Sequence, residues 1–164
     1  MGTDQRRAKS GLQCFLEDPE QWIEQSERVG LLTNPSAIAD DLVSAAEHFI
    51  AHPKIHLTRL FGPEHGVFGE HQDMVAVRDM DSGVQGIPVT SLYGKSFASL
   101  TPTPANLEDV DVLVFDIQDI GSRYYTYVAS LALAMKACGA EGKRVVVLDR
   151  PNPIGGAIVE GCGL

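Results

Sequence analysis

Positive charge is scarce in this sequence: 13 Lys and Arg stand against 22 Asp and Glu, for a net charge of −9. There is no basic run. An acidic surface repels phosphate backbones, which argues against nucleic acid as a partner. It disfavours a bare membrane surface for the same reason. No stretch approaches the roughly 20 apolar residues that a membrane-spanning helix needs. Cysteine is sparse too. Cys14, Cys138 and Cys162 form no CxxC pair, and an odd number cannot all pair within the chain. Free thiols and a reducing compartment are the expectation. The opening MGTDQRRAKSG has no apolar run behind its charges. No signal peptide is expected, and the chain as given reads as cytoplasmic; a leader removed upstream would make it periplasmic or secreted.

Several chemistry-bearing motifs are missing as well. No GxGxxG follows the first apolar strand, and there is no GxxxxGK[ST], so a nucleotide is disfavoured. No Ser sits in a GxSxG elbow, which leaves an α/β-hydrolase triad unsupported. No cofactor is expected.

What is present suits a globular fold. The 164 residues are 44% apolar and 21% charged, enough for one domain with a real core. Residues 1–10 read as a tail and 11–164 as the domain. Residues 11–28 have helical apolar positions, with Asp18-Pro19 as a possible helix start. Residues 29–33 (VGLLT) form a continuously apolar strand that stops at Asn34-Pro35-Ser36. Residues 40–51 have helical spacing. Strands are expected at 54–61, 88–92, 110–115 and 144–148. The long polar stretch 63–87 reads as a loop, and loops of that length are usually functional or disordered. Residues 124–138 are apolar almost all round, which predicts a buried helix with Ser122 as its N-cap.

Strands that alternate with helices predict an α/β fold: a doubly wound, mainly parallel sheet of about five strands in three layers. Each strand ends in polar residues: Asn34, Glu64-His65, Tyr93, Asp116 and Asp149-Arg150. In a parallel sheet all carboxyl ends share one edge, so these groups should line one crevice.

The stretch 57–73, LTRLFGPEHGVFGEHQD, carries the strongest chemical signal. A strand stops at Gly62-Pro63, and Glu64 and His65 follow on a glycine-rich loop. A carboxyl at an apolar strand end suits a general acid with a raised pKa. Glu64, His65, Glu70, His71 and Asp73 are also of types that bind zinc. Their spacing matches no helix-borne HExxH, so no metal site is expected, and a metal-dependent hydrolase stands as an alternative. In DIQDIGSRYYTY (116–127), Asp116 and Asp119 precede Arg123 and Tyr124. Carboxylates beside aromatics suit a sugar, with its hydroxyl edges and apolar face. Tyr127 is read as core. Asp149-Arg150-Pro151-Asn152-Pro153 reads as a rigid exit from the sheet.

Five segments then carry a resemblance: GLLTNPS (30–36), LFGPEHGVFG (60–69), SLYG (91–94), VLVFDIQDIGSRYYTY (112–127) and VVLDRPNPIGG (146–156). In this order they resemble the NamZ-type exo-β-N-acetylmuramidases, a bacterial family long known only as a domain of unknown function. The resemblance implies a glycosidase that releases terminal β-linked N-acetylmuramic acid from peptidoglycan fragments in cell-wall turnover and recycling. It implies a Rossmann-like N-terminal domain and a smaller C-terminal domain with the site between them. The second domain is absent here, so this chain alone is expected to be inactive or a non-catalytic sugar-binding module. Glu64 is the implied acid, and His65 is expected to orient it or to bind a sugar hydroxyl. Asp116 or Asp119 is expected to act as the second carboxylate. Arg123 or Arg150 is expected to meet the lactyl carboxylate, with Asn34, Tyr93, Tyr124 and Asn152 as further sugar contacts. Peptidoglycan saccharide and the C-terminal domain are the expected partners.

Overall fold

The computed structural model describes residues 8–67 and 80–161, with 80–84 as backbone only. Six strands form one sheet: β1 (Arg28–Thr33), β2 (His56–Gly62), β3 (Met80–Val84), β4 (Ile87–Ser91), β5 (Val112–Asp116) and β6 (Arg144–Val147). Their order is β3-β4-β2-β1-β5-β6. All neighbours are parallel except the β3–β4 pair. The fold is therefore the doubly wound, Rossmann-like α/β arrangement.

Strand alternation explains the three layers. Val29 and Leu31 of β1 and Val112 and Val114 of β5 point into one core cluster. Leu32, Leu113 and Phe115 point into the other, on the opposite face. Helices α1 (Gly11–Glu17) and α2 (Ala45–Ala51) cover the first face, where Phe15 stacks on Phe49 at 5.2 Å. Helix α3 (Tyr127–Ala140) covers the second through the fully buried Ala134 and Cys138. Both faces are covered, so the strands read as unbroken apolar runs in the sequence.

Four sequence expectations change. The helix expected over 11–28 ends at Glu17, because Asp18 leaves helical geometry and Pro19 opens a separate 3-10 turn, Pro19–Gln21. The helix expected over 40–51 begins only at Ala45, fixed by a capping box between Ser44 and Glu47. The loop expected over 63–87 contains β3, joined to β4 by a two-residue turn in which Gln85 and Gly86 both have positive φ. That is the turn class matched to strand twist. Helix α3 starts at Tyr127 after Thr126, not from a Ser122 cap, and it is not buried all round: Val128 and Met135 are 63% and 51% exposed. Among the described residues, no helix is long and apolar enough to cross a membrane.

Candidate active site

Strand β1 sits mid-sheet, with β2 on one side and β5 on the other. From β1 the chain moves outward through β2 to the β3–β4 edge, then crosses back past β1 to β5 and β6 on the other side. A doubly wound sheet opens a crevice at such a switch point, beyond the carboxyl ends. A cavity of about 380 Å³ lies there, lined by Asn34, Pro35 and Ser36 after β1, His65 after β2, and Gln118, Ile120, Tyr125 and Tyr127 after β5. Its volume is within the range of small-ligand pockets, about 300–1,000 Å³.

The turn after β2 is built by its glycines. The Gly66 N–H donates to the Pro63 carbonyl at 2.9 Å, so Glu64 and His65 are the two central residues. His65 has φ +71°, a conformation that favours glycine. A Cβ on Gly62 would lie 2.7 Å from the Val67 nitrogen, so only glycine lets the chain fold back over the strand end. Glu64 is half-buried on this turn.

The ends of β1 and β5 are tied together. Asn34 Oδ1 accepts from the Ser36 N–H at 3.0 Å and from the Ser36 hydroxyl at 2.6 Å. Ser36 Oγ accepts the Gln118 N–H at 3.1 Å, across 82 residues of sequence. Tyr127 stands against Asn34. Burial pushes its phenol above the ordinary value, the Asn34 hydrogen bond pulls the other way, and the Glu64 charge adds to the rise. Glu64 is thus an electrostatic neighbour of the crevice, although it is not part of its lining.

Asp116 is fully buried and receives both prongs of Arg150, Nε at 2.6 Å and Nη2 at 2.9 Å. Arg150 Nη1 donates to the Ile38 carbonyl at 3.0 Å. Burial raises the Asp116 carboxyl and Arg150 opposes it. Neither partner lines the crevice. Asp116, one of the two candidates for the second carboxylate, and Arg150, one of the two for the lactyl partner, are thus paired with each other and do not line this crevice.

The remaining expected residues divide. Asn34 and His65 line the crevice. Tyr93 is half-buried beyond β4, donating its N–H to Ser91 Oγ at 3.2 Å. Asp119 is exposed and accepts the Gly121 N–H at 2.6 Å. Arg123 is exposed, and Tyr124 is 93% exposed. Asn152 is exposed, accepts the Ile154 N–H at 3.1 Å and lies against Gly121. Glu70, His71 and Asp73 lie outside the described residues. Among the described residues, no three His, Cys, Asp or Glu are placed to hold a metal ion. Ser36, Gln118, Tyr125 and Tyr127 line the crevice without having been singled out as site residues. For Ser36 and Gln118 the available signal was position, within three residues of a strand's carboxyl end; Tyr125 and Tyr127 come nine and eleven residues after β5 and carry no such signal.

Comparison with known proteins identifies the family. Residues 29–164 match the family described as exo-β-N-acetylmuramidase NamZ, N-terminal. The peptidoglycan β-N-acetylmuramidase NamZ of Bacillus subtilis (strain 168) is 43% identical over 155 residues, covering 94% of this chain and 36% of that protein. A DUF1343 family protein from Bacteroides fragilis NCTC 9343 superposes with a TM-score of 0.78 at 42% identity, over 93% of this chain and 37% of that one. A second from the same organism gives 0.65 at 26% identity, over 88% and 35%. This chain spans little more than a third of the length of each. Matched over most of its residues, it belongs to the NamZ family of exo-β-N-acetylmuramidases, in the portion that forms the family's N-terminal part.

Proposed function

We propose that this chain supplies the acid and the sugar crevice of an exo-β-N-acetylmuramidase that releases terminal β-linked N-acetylmuramic acid from peptidoglycan fragments. The observation that supports the reading is the Pro63–Gly66 turn, which carries Glu64 next to His65, a residue that lines the switch-point crevice. Glu64 protonates the glycosidic oxygen as the bond breaks. His65 orients that carboxyl or holds a sugar hydroxyl. Asn34, buried and lining the crevice, binds the sugar.

The engaged residues take other roles. Asp116, with both oxygens on Arg150, positions the loops beneath the crevice. Arg150, forked onto Asp116, is not placed to receive a carboxylate. Arg123, exposed on the loop that carries Tyr125, is the better partner for the lactyl group. Asp119 is the exposed carboxylate nearest in sequence to the crevice loop. Tyr93, Tyr124 and Asn152 form an outer rim that a longer saccharide would reach. The cleft is completed by the C-terminal part that the longer relatives possess, and the saccharide and that part are the partners.

The test is hydrolysis of a chromogenic β-N-acetylmuramide by the complete protein, beside Glu64→Gln and an N-acetylglucosaminide control. Cleavage of the muramide alone, lost by 10²-fold or more in Glu64→Gln, is the expected result; losses of about this size follow removal of a general acid. Full activity in Glu64→Gln would move the chemistry away from this turn.

A further inference from the structure

The two edges of the sheet are unlike. One is β3, whose sequence includes Asp, Ser and Gly, residues that discourage further pairing. The other is β6, which after Arg144 is three valines. The Arg144 and Leu148 N–H groups donate inward, to the Asp111 and Phe115 carbonyls at 3.2 and 2.9 Å. Backbone alternation therefore turns the Val145 and Val147 N–H groups outward, and among the described residues nothing accepts them. An apolar edge with open donors is a template for another strand.

The side chains beside this edge are unmatched on one face only. Val145 packs against the cluster on the α3 side of the sheet. Val147, two residues on, shares that face and is 47% exposed. A hollow of about 130 Å³ lies there between β6 and α3, with Val128, Leu131, Val147 and Leu148 in its walls. It is smaller than the pockets of about 300–1,000 Å³ that hold small ligands, and it suits the side chains of a packed helix. Val128 and Met135 of α3 are exposed beside it. The opposite face is closed: Val146 packs into the α1–α2 cluster, and the Asp149 carbonyl accepts the Gly11 N–H at 2.6 Å.

Topology indicates what fits. β1, α2 and β2 run one way along the sheet with α2 on the first face. β5, α3 and β6 run the other way with α3 on the second face. That reversal of face with direction is what right-handed crossovers require. A strand added beyond β6 continues in the β5-to-β6 direction, so its crossover helix falls on the α3 face, where the hollow lies. The matched stretch is the family's N-terminal part and little more than a third of each relative's length, so such proteins have chain to supply it.

We propose that β6 is an internal strand of the complete protein. A further parallel strand from the C-terminal part pairs along Val145 and Val147, and the helix leading to it packs on Val128, Met135 and Val147. This surface is separate from the crevice and does not depend on the glycosidase reading.

Residue-resolved hydrogen exchange on the complete protein reads the edge. Val145 and Val147 should exchange within about tenfold of Val146, whose N–H faces β5. Fast exchange at both beside a protected Val146 would leave the edge open and overturn the proposal. Val147→Lys and Val128→Lys read the face. A charge under a packed helix should lower the thermal midpoint by about 5 °C or more, whereas an exposed site would tolerate it. Unchanged midpoints in both variants would overturn the helix assignment. Light scattering over a concentration series, run beside the exchange, identifies the occupant. Protection in a monomer supports the protein's own C-terminal part. Protection that appears only as the mass doubles would assign the edge to a second copy and overturn the proposal.

Discussion

Arg150 closes on Asp116 with two parallel hydrogen bonds, 2.6 and 2.9 Å long, and the carboxylate it grips has no solvent exposure. The same guanidinium reaches the Ile38 carbonyl at 3.0 Å. One side chain from the exit of β6 thereby fastens the end of β5 and the loop after β1, the two segments that wall the crevice.

Removing Arg150 should be costly for stability before it is costly for chemistry. Arg150→Met strands a buried carboxylate, and breaking a buried pair in this way costs about 3–5 kcal/mol. Without the arginine, burial alone acts on Asp116 and raises its folded pKa further above the unfolded value. Stability relative to wild type should then recover as pH falls through the raised folded value toward the unfolded value of about 3.9, and worsen as pH rises back through that window. Asp116→Asn with Arg150→Met should cost less than the sum of the two single changes. Urea unfolding of the four proteins across acidic to neutral pH decides this; additive losses would show that the pair is not coupled.

Much of the frame was legible because β1 and β5 are covered on both faces, and burial of that kind leaves unbroken apolar runs such as VGLLT and VLVF. The polar residue closing each run marked the functional edge, and two of them, Asn34 and His65, do line the crevice. Strand β3 was hidden because MDSGV, on the sheet's edge, carries Asp, Ser and Gly in place of apolar alternation. The Asp116–Arg150 fork spans 34 residues, and nothing in local spacing announces it. Tyr127 shows the limit most clearly. An aromatic at the head of an apolar helix reads as core, yet this one lines the crevice beside Asn34, Ser36 and Gln118. Those residues are brought together only by the parallel pairing of β1 with β5.

His65 should carry backbone strain that can be separated from its chemistry. A non-glycine residue at φ +71° is in a sparsely populated region. His65→Gly and His65→Ala both remove the imidazole, but only glycine relaxes the backbone. The glycine variant is expected to be the more stable of the two by about 1 kcal/mol. Both should lose activity to a similar extent if the ring acts on the acid or the sugar. Equal denaturation midpoints would show that the turn bears no strain.

Acid sensitivity should track the Arg28–Asp111 pair. Asp111 accepts from Arg28 Nε at 2.9 Å, from Nη2 at 2.6 Å and from the Arg28 backbone N–H at 2.9 Å. The guanidinium holds this carboxyl well below the usual range. A depressed folded pKa gives stability that is present above the unfolded value, about 3.9, and lost as pH falls below it toward the folded value. Both side chains are more than a third exposed or close to it, so solvent and salt screen the pair. Asp111→Asn should therefore be modestly less stable than wild type at neutral pH, with the gap closing under strongly acidic conditions and in high salt. A gap that is constant with pH would assign the effect to packing.

Gly62→Ala tests whether the position of the Pro63–Gly66 turn, and not only its residues, matters. The added methyl would lie 2.7 Å from the Val67 nitrogen and 3.0 Å from the Gly66 backbone. These are backbone atoms that no rotamer change can move aside. Either the turn lifts away from the end of β2 or β2 itself shifts, and strand pairing of Gly62 with Ser91 opposes the second. Overpacking of this kind costs about 1–3 kcal/mol, so the protein should still fold at moderate temperature. Lifting the turn displaces Glu64 and His65 together, and a displacement near 1 Å at a reacting group can cost about 10²-fold in rate. The expected outcome is a folded protein with a lowered thermal midpoint and a kcat depressed far more than KM is raised. If kcat were unchanged in a destabilised Gly62→Ala, the turn would not set the geometry of the acid. Glu64 would then have to reach the glycosidic oxygen by side-chain adjustment alone.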